Sequence, residues 1–442
     1  MMRDDLRQRL RELGVVRGVR ELAAQPPRPA VAIEDIVEGS FHTTSRGQCF
    51  VARESFACNH VHGDVPLSAF LELPTEGVAQ VGFDERLVGL DLRRFCFLDT
   101  ETTGLSAGSG TMAFIVGIGF FASDGFELHQ FFLRDPGDEP AMVEALVELF
   151  PGFEALVSFN GRSFDVPIIE NRLILARVPP TLHHMPHLDL LHPARRLWRY
   201  ALASCALTSL EREVLGVRRE QADVPSGLIP YLYRDYLRTG DARDMKRVLY
   251  HNKIDILSMV TLAVCLCRAY ADPWQVGQFA QGRELSVGEL YALGRWYARE
   301  GRVEEAERAY RAAVQLPFRD NRGTRGWTLR ELALLLKRHE RRDEAFAFWQ
   351  QLALESRKDD SEEAAGVLAH VELAKYFEWT VGDLERAAAW TGAALKRVTD
   401  GMRGMQRDRK EADLRHRLAR LERKMAAAWV EGTESPGSEA RG

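Results

Sequence analysis

The chain has 442 residues, 45% hydrophobic and 28% charged, a soluble globular composition too long for one compact core, so two or three domains are expected. A net charge of −5 excludes a globally basic nucleic-acid binder; such a partner would need a local basic patch. Six irregularly spaced cysteines exclude a disulfide framework and fit a reducing, cytoplasmic setting, and neither a secretory signal nor a run of roughly 18 apolar residues that would span a membrane is visible.

Residues 1–85 read as an N-terminal extension that packs on the next domain. They hold a Pro-rich turn, "AAQPPRPAVAIED", short strands, and a turn or hairpin at "VHGDVPL". Cys49, Cys58, His60 and His62 invite a zinc reading, but the spacing fits no standard structural site. Buried cysteines and polar histidines are the plainer account.

Residues 86–272 alternate strand and helix. "RRFCFLD", "AFIVGIGFF" and "FELHQFFLR" are three adjacent strands; "DEPAMVEALVELF" is a helix with acids in its first turn. "EALVSFN" is a strand, "SFDVPIIENRLILA" a helix and "HLDLL" a fifth, short strand. The layout is an α/β domain with a mixed five-stranded sheet and flanking helices. A long helix at about 241–269 closes it.

Strand patterns end beyond residue 283. "LGRWYAREGRVEEAERAYRAAV" recurs twice in similar form, aligning Ala306, Ala345 and Ala387 at spacings of 39 and 42 residues, each followed by an aromatic: Tyr310, Trp349 and Trp390. Small residues let helices approach closely and aromatics fill the gaps, so 283–428 reads as an all-α, tetratricopeptide-like repeat array or a plain helical bundle. The polar tail 429–442 reads as disordered.

The chemistry starts at "LDTETTG". Asp99 and Glu101 are two residues apart on a strand end and share one face. Two like charges there repel unless a cation intervenes, and paired oxygens suit Mg²⁺ or Mn²⁺. Asp165 opens a later helix and Asp255 lies in the long one. Four such acids could converge on a two-metal site for phosphoryl transfer.

"FLDTETTGL", "SFNGRSFDVPII" and "YHNKIDILS", in this order, resemble the three motifs of the DEDD 3′→5′ exonuclease superfamily, which has the ribonuclease H-like fold. "LTSLEREVLGV" resembles the helix before the third motif. With an N-terminal extension and a helical-repeat tail, the chain is most similar to YprB-like ribonuclease H-like proteins. The resemblance implies metal-dependent cleavage of DNA or RNA, with Asp99, Glu101, Asp165 and Asp255 holding two divalent ions.

That superfamily places His five residues, or Tyr four residues, before the last Asp. Here the types are exchanged: Tyr250 is five before and His251 four before Asp255. On a helix, His251 falls about 40° from Asp255 and Tyr250 about 140° away. The phase favours His251 as the group that assists water; Tyr250 reaches the site only if the helix begins after it, and metal-bound hydroxide alone is the third possibility.

The resemblance also implies that the backbone near Thr102, Thr103 and Gly104 contacts the terminal nucleotide, with Leu105 as an apolar wedge. Asn160 is either a substrate contact or a turn cap. Asp189 is either an auxiliary acid or an acid satisfied by backbone amides. Arg195, Arg196 and Arg199 surround Trp198 and offer phosphate and base contacts, or form a solvated amphipathic helix. A non-cleaving nucleic-acid binder, and a scaffold recruiting protein through the repeats, remain as other readings.

Overall fold

The computed structural model describes residues 29–104, 110–220, 223–274, 284–317, 324–356 and 360–433. Leu105 and most of the polar tail lie outside the described residues.

The sheet has seven strands, not five. Strands β1 (Gly39–Thr44) and β2 (Gly47–Ala57) form a hairpin, and β2 runs antiparallel to β7 (Gly125–Phe132) from Phe50 to Ala57. The reason is the run Cys49–Ala52, which is buried in the sheet and has no other place to hide. This part of the N-terminal region therefore belongs to the main sheet. A small ribbon, β3 (Val61–His62) and β4 (Val65–Pro66), forms the expected hairpin at "VHGDVPL", and His62 meets Ser258 at 2.8 Å.

With β5 (Phe95–Thr102), β6 (Ala113–Phe121), β8 (Ala155–Ser158) and β9 (His187–Asp189), the order is β1-β2-β7-β6-β5-β8-β9. β8 and β9 run parallel to β5, and the rest are antiparallel. The parallel pairs need crossovers, supplied by helices α2 (Glu139–Leu149) and α3 (Asp165–Leu175), whereas α1 (Thr75–Gly82) precedes β5. After β9 come α4 (Leu191–Trp198), a short α5 (Leu207–Leu210) with a π turn to Leu215, α6 (Ile229–Thr239) and the 29-residue α7 (Arg243–Ala271).

β5 is buried on both faces. Phe95 and Phe97 join one core, and Cys96 and Leu98 the other. Helix α7 presses on the first face because β6 has glycines there. A Cβ on Gly117 would sit 2.2 Å from Asn252 Oδ1, and one on Gly119 2.6 Å from Ile256 Cγ2. Gly117 pairs with Asp99 on one side and Gln130 on the other. Gln130 Nε2 donates to Asn252 Oδ1 (2.7 Å) and to the Leu249 carbonyl (2.8 Å), so it fixes the helix against this row. Gly117→Ala is expected to cost about 1–3 kcal/mol by overpacking against Asn252, checked by thermal melting.

By length and composition α7 would cross a membrane, but 78% of its most apolar stretch is buried inside the protein. Its hydrophobicity serves the core. That core continues from Phe97 through Ile256 and Tyr270 to Trp296, Leu332 and Trp349 in the C-terminal region.

There, α8 (Val287–Arg299), α9 (Val303–Gln315), α10 (Thr324–Arg338), α11 (Arg342–Glu355), α12 (Asp360–Tyr376) and α13 (Leu384–Gly401) follow one another with short connections, and α14 (Met405–Thr433) ends the array. Ala306, Ala345 and Ala387 are buried, as are Tyr310 and Trp349, while Trp390 is half-buried against His370. Gly294 lets the Tyr310 ring lie against the α8 backbone. Helix α8 begins with a capping box, Ser286 with Glu289.

Candidate active site

Alternation along β5 sends Asp99 and Glu101 toward α7 and Thr100 to the opposite face, toward α3. Asn252, on α7, donates to Asp99 Oδ2 at 2.7 Å and to the Asp99 carbonyl at 3.3 Å. Thr100 Oγ1 donates to Asp165 Oδ1 at 2.5 Å, which fixes the first residue of α3. Asp255 approaches from α7. Four carboxylates from two helices and one strand thus meet at the end of β5.

Their electrostatics show mutual strain. Burial, then the charges of Asp255 and Asp165, hold the Asp99 carboxyl well above the usual range. Burial, then Asp99, Asp255 and Asp165, do the same to Glu101. Burial raises Asp165 to about 6, opposed by the Thr100 hydroxyl. Acids placed where they resist ionising are poised for a cation, which removes the repulsion and completes their coordination. Ligand atoms of Glu101, His251 and Asp255 lie within 4.8 Å of one another, a spacing that suits a divalent ion.

His251 is buried with Nε2 3.6 Å from Asp255 Oδ2 and 4.0 Å from Glu101 Oε1. Its Nδ1 lies 2.7 Å from Asp223 Oδ1 and 2.9 Å from Arg219 Nη1. One nitrogen cannot donate to the acid and accept from the guanidinium together. The carboxylate contact is shorter, so Nδ1–H belongs to Asp223, and Nε2 keeps its lone pair toward the acids and Ser226 (3.2 Å). Tyr250 points elsewhere: its hydroxyl accepts from the Glu220 N–H at 3.0 Å.

Arg219 is the residue the sequence did not reveal. It grips both oxygens of the buried Glu211 at 2.6 Å and also donates to Asp255 Oδ1. Burial works against its charge, yet Glu211 and Asp255 hold its pKa above the ordinary value. Asp223, four residues on and 3.4 Å away, is its one local acid, but the acids it grips most closely lie 8 and 36 residues away. Asn252 was more accessible: it is three residues before Asp255 and so shares that helix face.

Other sequence candidates divide. Thr102 Oγ1 donates to the Gly104 carbonyl at 2.6 Å, and the Thr103 and Met112 backbones bond across the bend, so these residues shape the rim beside the acids. Asn160 has φ +73°, and its N–H donates to Asp189 Oδ1 at 2.8 Å. Asp189 also accepts from the N–H groups of Arg162 and Leu191, so it is satisfied by backbone amides and holds the loop before Asp165. Trp198 is fully buried and donates to Glu289 Oε1 at 2.8 Å; it cannot stack a base. Ala194, Leu197 and Trp198 form the inward stripe of α4, which leaves Arg195 and Arg199 exposed and Arg196 half-buried. The zinc reading fails: Cys49 is buried with its thiol pushed up to about 11 by burial, His62 pairs with Ser258, and the His60 ring lies tilted against Phe56 at 5.0 Å.

Two comparisons bear on this site. The RNase_H superfamily model matches residues 96–267, the span that holds all four acids and His251. The chain is 30% identical over 382 residues, 86% of its length, to YprB of Bacillus subtilis (strain 168), of which it covers 87%.

Proposed function

Because the chain belongs to the YprB-like family of ribonuclease H-fold proteins, we propose that it is a metal-dependent 3′→5′ exonuclease of the DEDD type, cleaving phosphodiester bonds of DNA or RNA. The observation that carries this is the convergence of Asp99, Glu101, Asp165 and Asp255, the first three in buried surroundings that disfavour their ionisation without a cation. These four acids would hold two Mg²⁺ or Mn²⁺ ions, which supply charge neutralisation and a more acidic water.

The chain's own groups do the remaining work. Asp223 keeps the His251 proton on Nδ1, so Nε2 can take a proton from the attacking water. Asn252 orients Asp99, and Thr100 orients Asp165. The bend Thr102–Gly104 offers backbone groups to the terminal nucleotide. A reducing, cytoplasmic setting is part of the same reading, from the irregular spacing of the six cysteines. The helix pairs of the C-terminal region, read as a tetratricopeptide-type array, would dock a protein partner.

The test uses purified protein with 5′-labelled single-stranded DNA and RNA in Mg²⁺, Mn²⁺ or EDTA. A ladder shortening from the 3′ end, lost in EDTA, is the expected result; intact strands in every metal would sink the proposal. In the same assay His251→Ala is expected to slow cleavage by roughly 100-fold or more, and Tyr250→Phe by little. The reverse ranking would give the water-assisting role to Tyr250.

A further inference from the structure

Helices α4 and α8 enclose a cavity of about 430 Å³ where the sheet domain meets the first helix pair. Its wall includes Arg195 and Arg196 from α4, Arg199 just after it, and Arg295 and Arg299 from α8, and no Asp or Glu. Elsewhere arginines pair with acids, as Arg86 does with Asp84 and Arg172 with Glu139. Among the described residues, no carboxylate forms an ion pair with Arg195, Arg196, Arg295 or Arg299. Gathering five like charges in a chain of net charge −5 costs self-repulsion. The arrangement offsets that cost when an anion enters.

The guanidinium groups are held, not merely present. Arg196 lies 3.9 Å over the Phe83 ring and 5.1 Å over Trp296. Arg295 donates to the Tyr200 hydroxyl at 2.5 Å and lies over the rings of Tyr200 and Tyr291. Stacking fixes these planar forks, and a fixed fork suits phosphate oxygens. Phe83 is 46% exposed at the same wall, a face on which a base can rest.

Helix α4 starts two residues after Asp189, at the sheet end that carries Asp165. Arg196 lies over Trp296, which packs on Tyr270, and Tyr270 is 15 residues along α7 from Asp255, roughly 22 Å, a separation that a strand of several nucleotides spans.

We propose that this cavity holds the phosphodiester backbone of a nucleic-acid strand a few nucleotides from the end seated at the four acids. It is a second contact, built jointly by the sheet domain and the helical array. The inference rests on the nuclease reading for its choice of ligand, but its test does not require cleavage.

Fluorescence anisotropy would follow full-length protein binding 5′-labelled oligothymidylate and oligouridylate of graded length, in EDTA, over a range of salt. The double variant Arg195→Gln/Arg299→Gln removes two exposed charges and leaves the stacked arginines alone. It is expected to weaken binding of long strands by roughly tenfold or more, and to make the slope of log K against log salt shallower by about 1.4, or 0.7 for each lost phosphate contact. Each single variant should show about half that slope change, and Arg195→Lys/Arg299→Lys should restore the slope. Unchanged slope and affinity in the double variant, with an unchanged melting curve, would overturn the proposal. So would tighter, arginine-dependent binding of labelled polyglutamate, which would make the ligand an acidic polypeptide. Arginine-dependent strand binding by a protein that cuts nothing in Mg²⁺ or Mn²⁺ would sink the exonuclease reading and support this one.

Discussion

Asp165→Asn is expected to abolish cleavage and, without divalent ions, to make the protein more stable. Burial raises the Asp165 carboxyl from 3.8 to about 6, so the folded chain holds this proton more tightly than the unfolded chain. The stability this gives is complete below pH 3.8 and is lost as pH rises through about 6. At pH 7 and above the ionised acid then costs on the order of 3 kcal/mol. Asparagine removes that cost and can still accept from the Thr100 hydroxyl. Metal-free wild-type protein should therefore melt at lower temperature at pH 8 than at pH 5, with the variant much flatter across that range. Added Mn²⁺ should stabilise the wild type at pH 8 and do far less for the variant. Cleavage should fall at least about a thousandfold, equivalent to roughly 4 kcal/mol of lost transition-state stabilisation. A variant that cuts normally, or melts as the wild type does at every pH, would show that Asp165 is not a ligand.

Arg219→Ala is expected to be among the most destabilising single changes in the sheet domain. Glu211 is 1% exposed, and burial pushes its carboxyl up even with Arg219 in place. Without the guanidinium it becomes a buried acid with no cation beside it, at a cost of about 3–5 kcal/mol. Glu211→Gln in the same chain should recover a large part of that loss, because an amide needs no counter-charge. The two single variants and the double variant, compared by chemical denaturation, measure the coupling. Additive effects would mean that Arg219 acts through some other contact. Arg219 also donates to Asp255, so its loss frees that acid, and added Mn²⁺ should stabilise the variant by more than it does the wild type.

The four acids were legible because their type and order stand close to apolar runs that had to become strand or helix. Helical phase separated His251 from Tyr250 for the same reason: α7 is long and regular, so position along the chain gives position in space. The same logic was available at α4, where Ala194, Leu197 and Trp198 follow an i, i+3, i+4 stripe that marks Trp198 as inward. The two extra strands were not legible as members of the sheet. The pairing of β2 with β7 joins residues about 75 apart, and no local signal states which edge a hairpin will join. Arg219 was hidden for a related reason, since the acids it grips most closely come from the π turn and from α7.

Helix α7 has one further consequence. Its first half carries His251, Asn252 and Asp255, and near its far end the Tyr270 ring lies 4.8 Å from Trp296, with the Tyr297 hydroxyl donating to the Tyr270 carbonyl at 2.7 Å. The rod that seats the reacting groups is also the beam on which the helical array is built. Trp198 and Glu289 clamp the same junction from the other side. Removing the array would strip the cover from this buried surface, so a shortened chain would lose solubility before it lost any partner. Heat should melt both halves in one cooperative step, and the fusion is a condition of folding rather than an addition that the chain could shed.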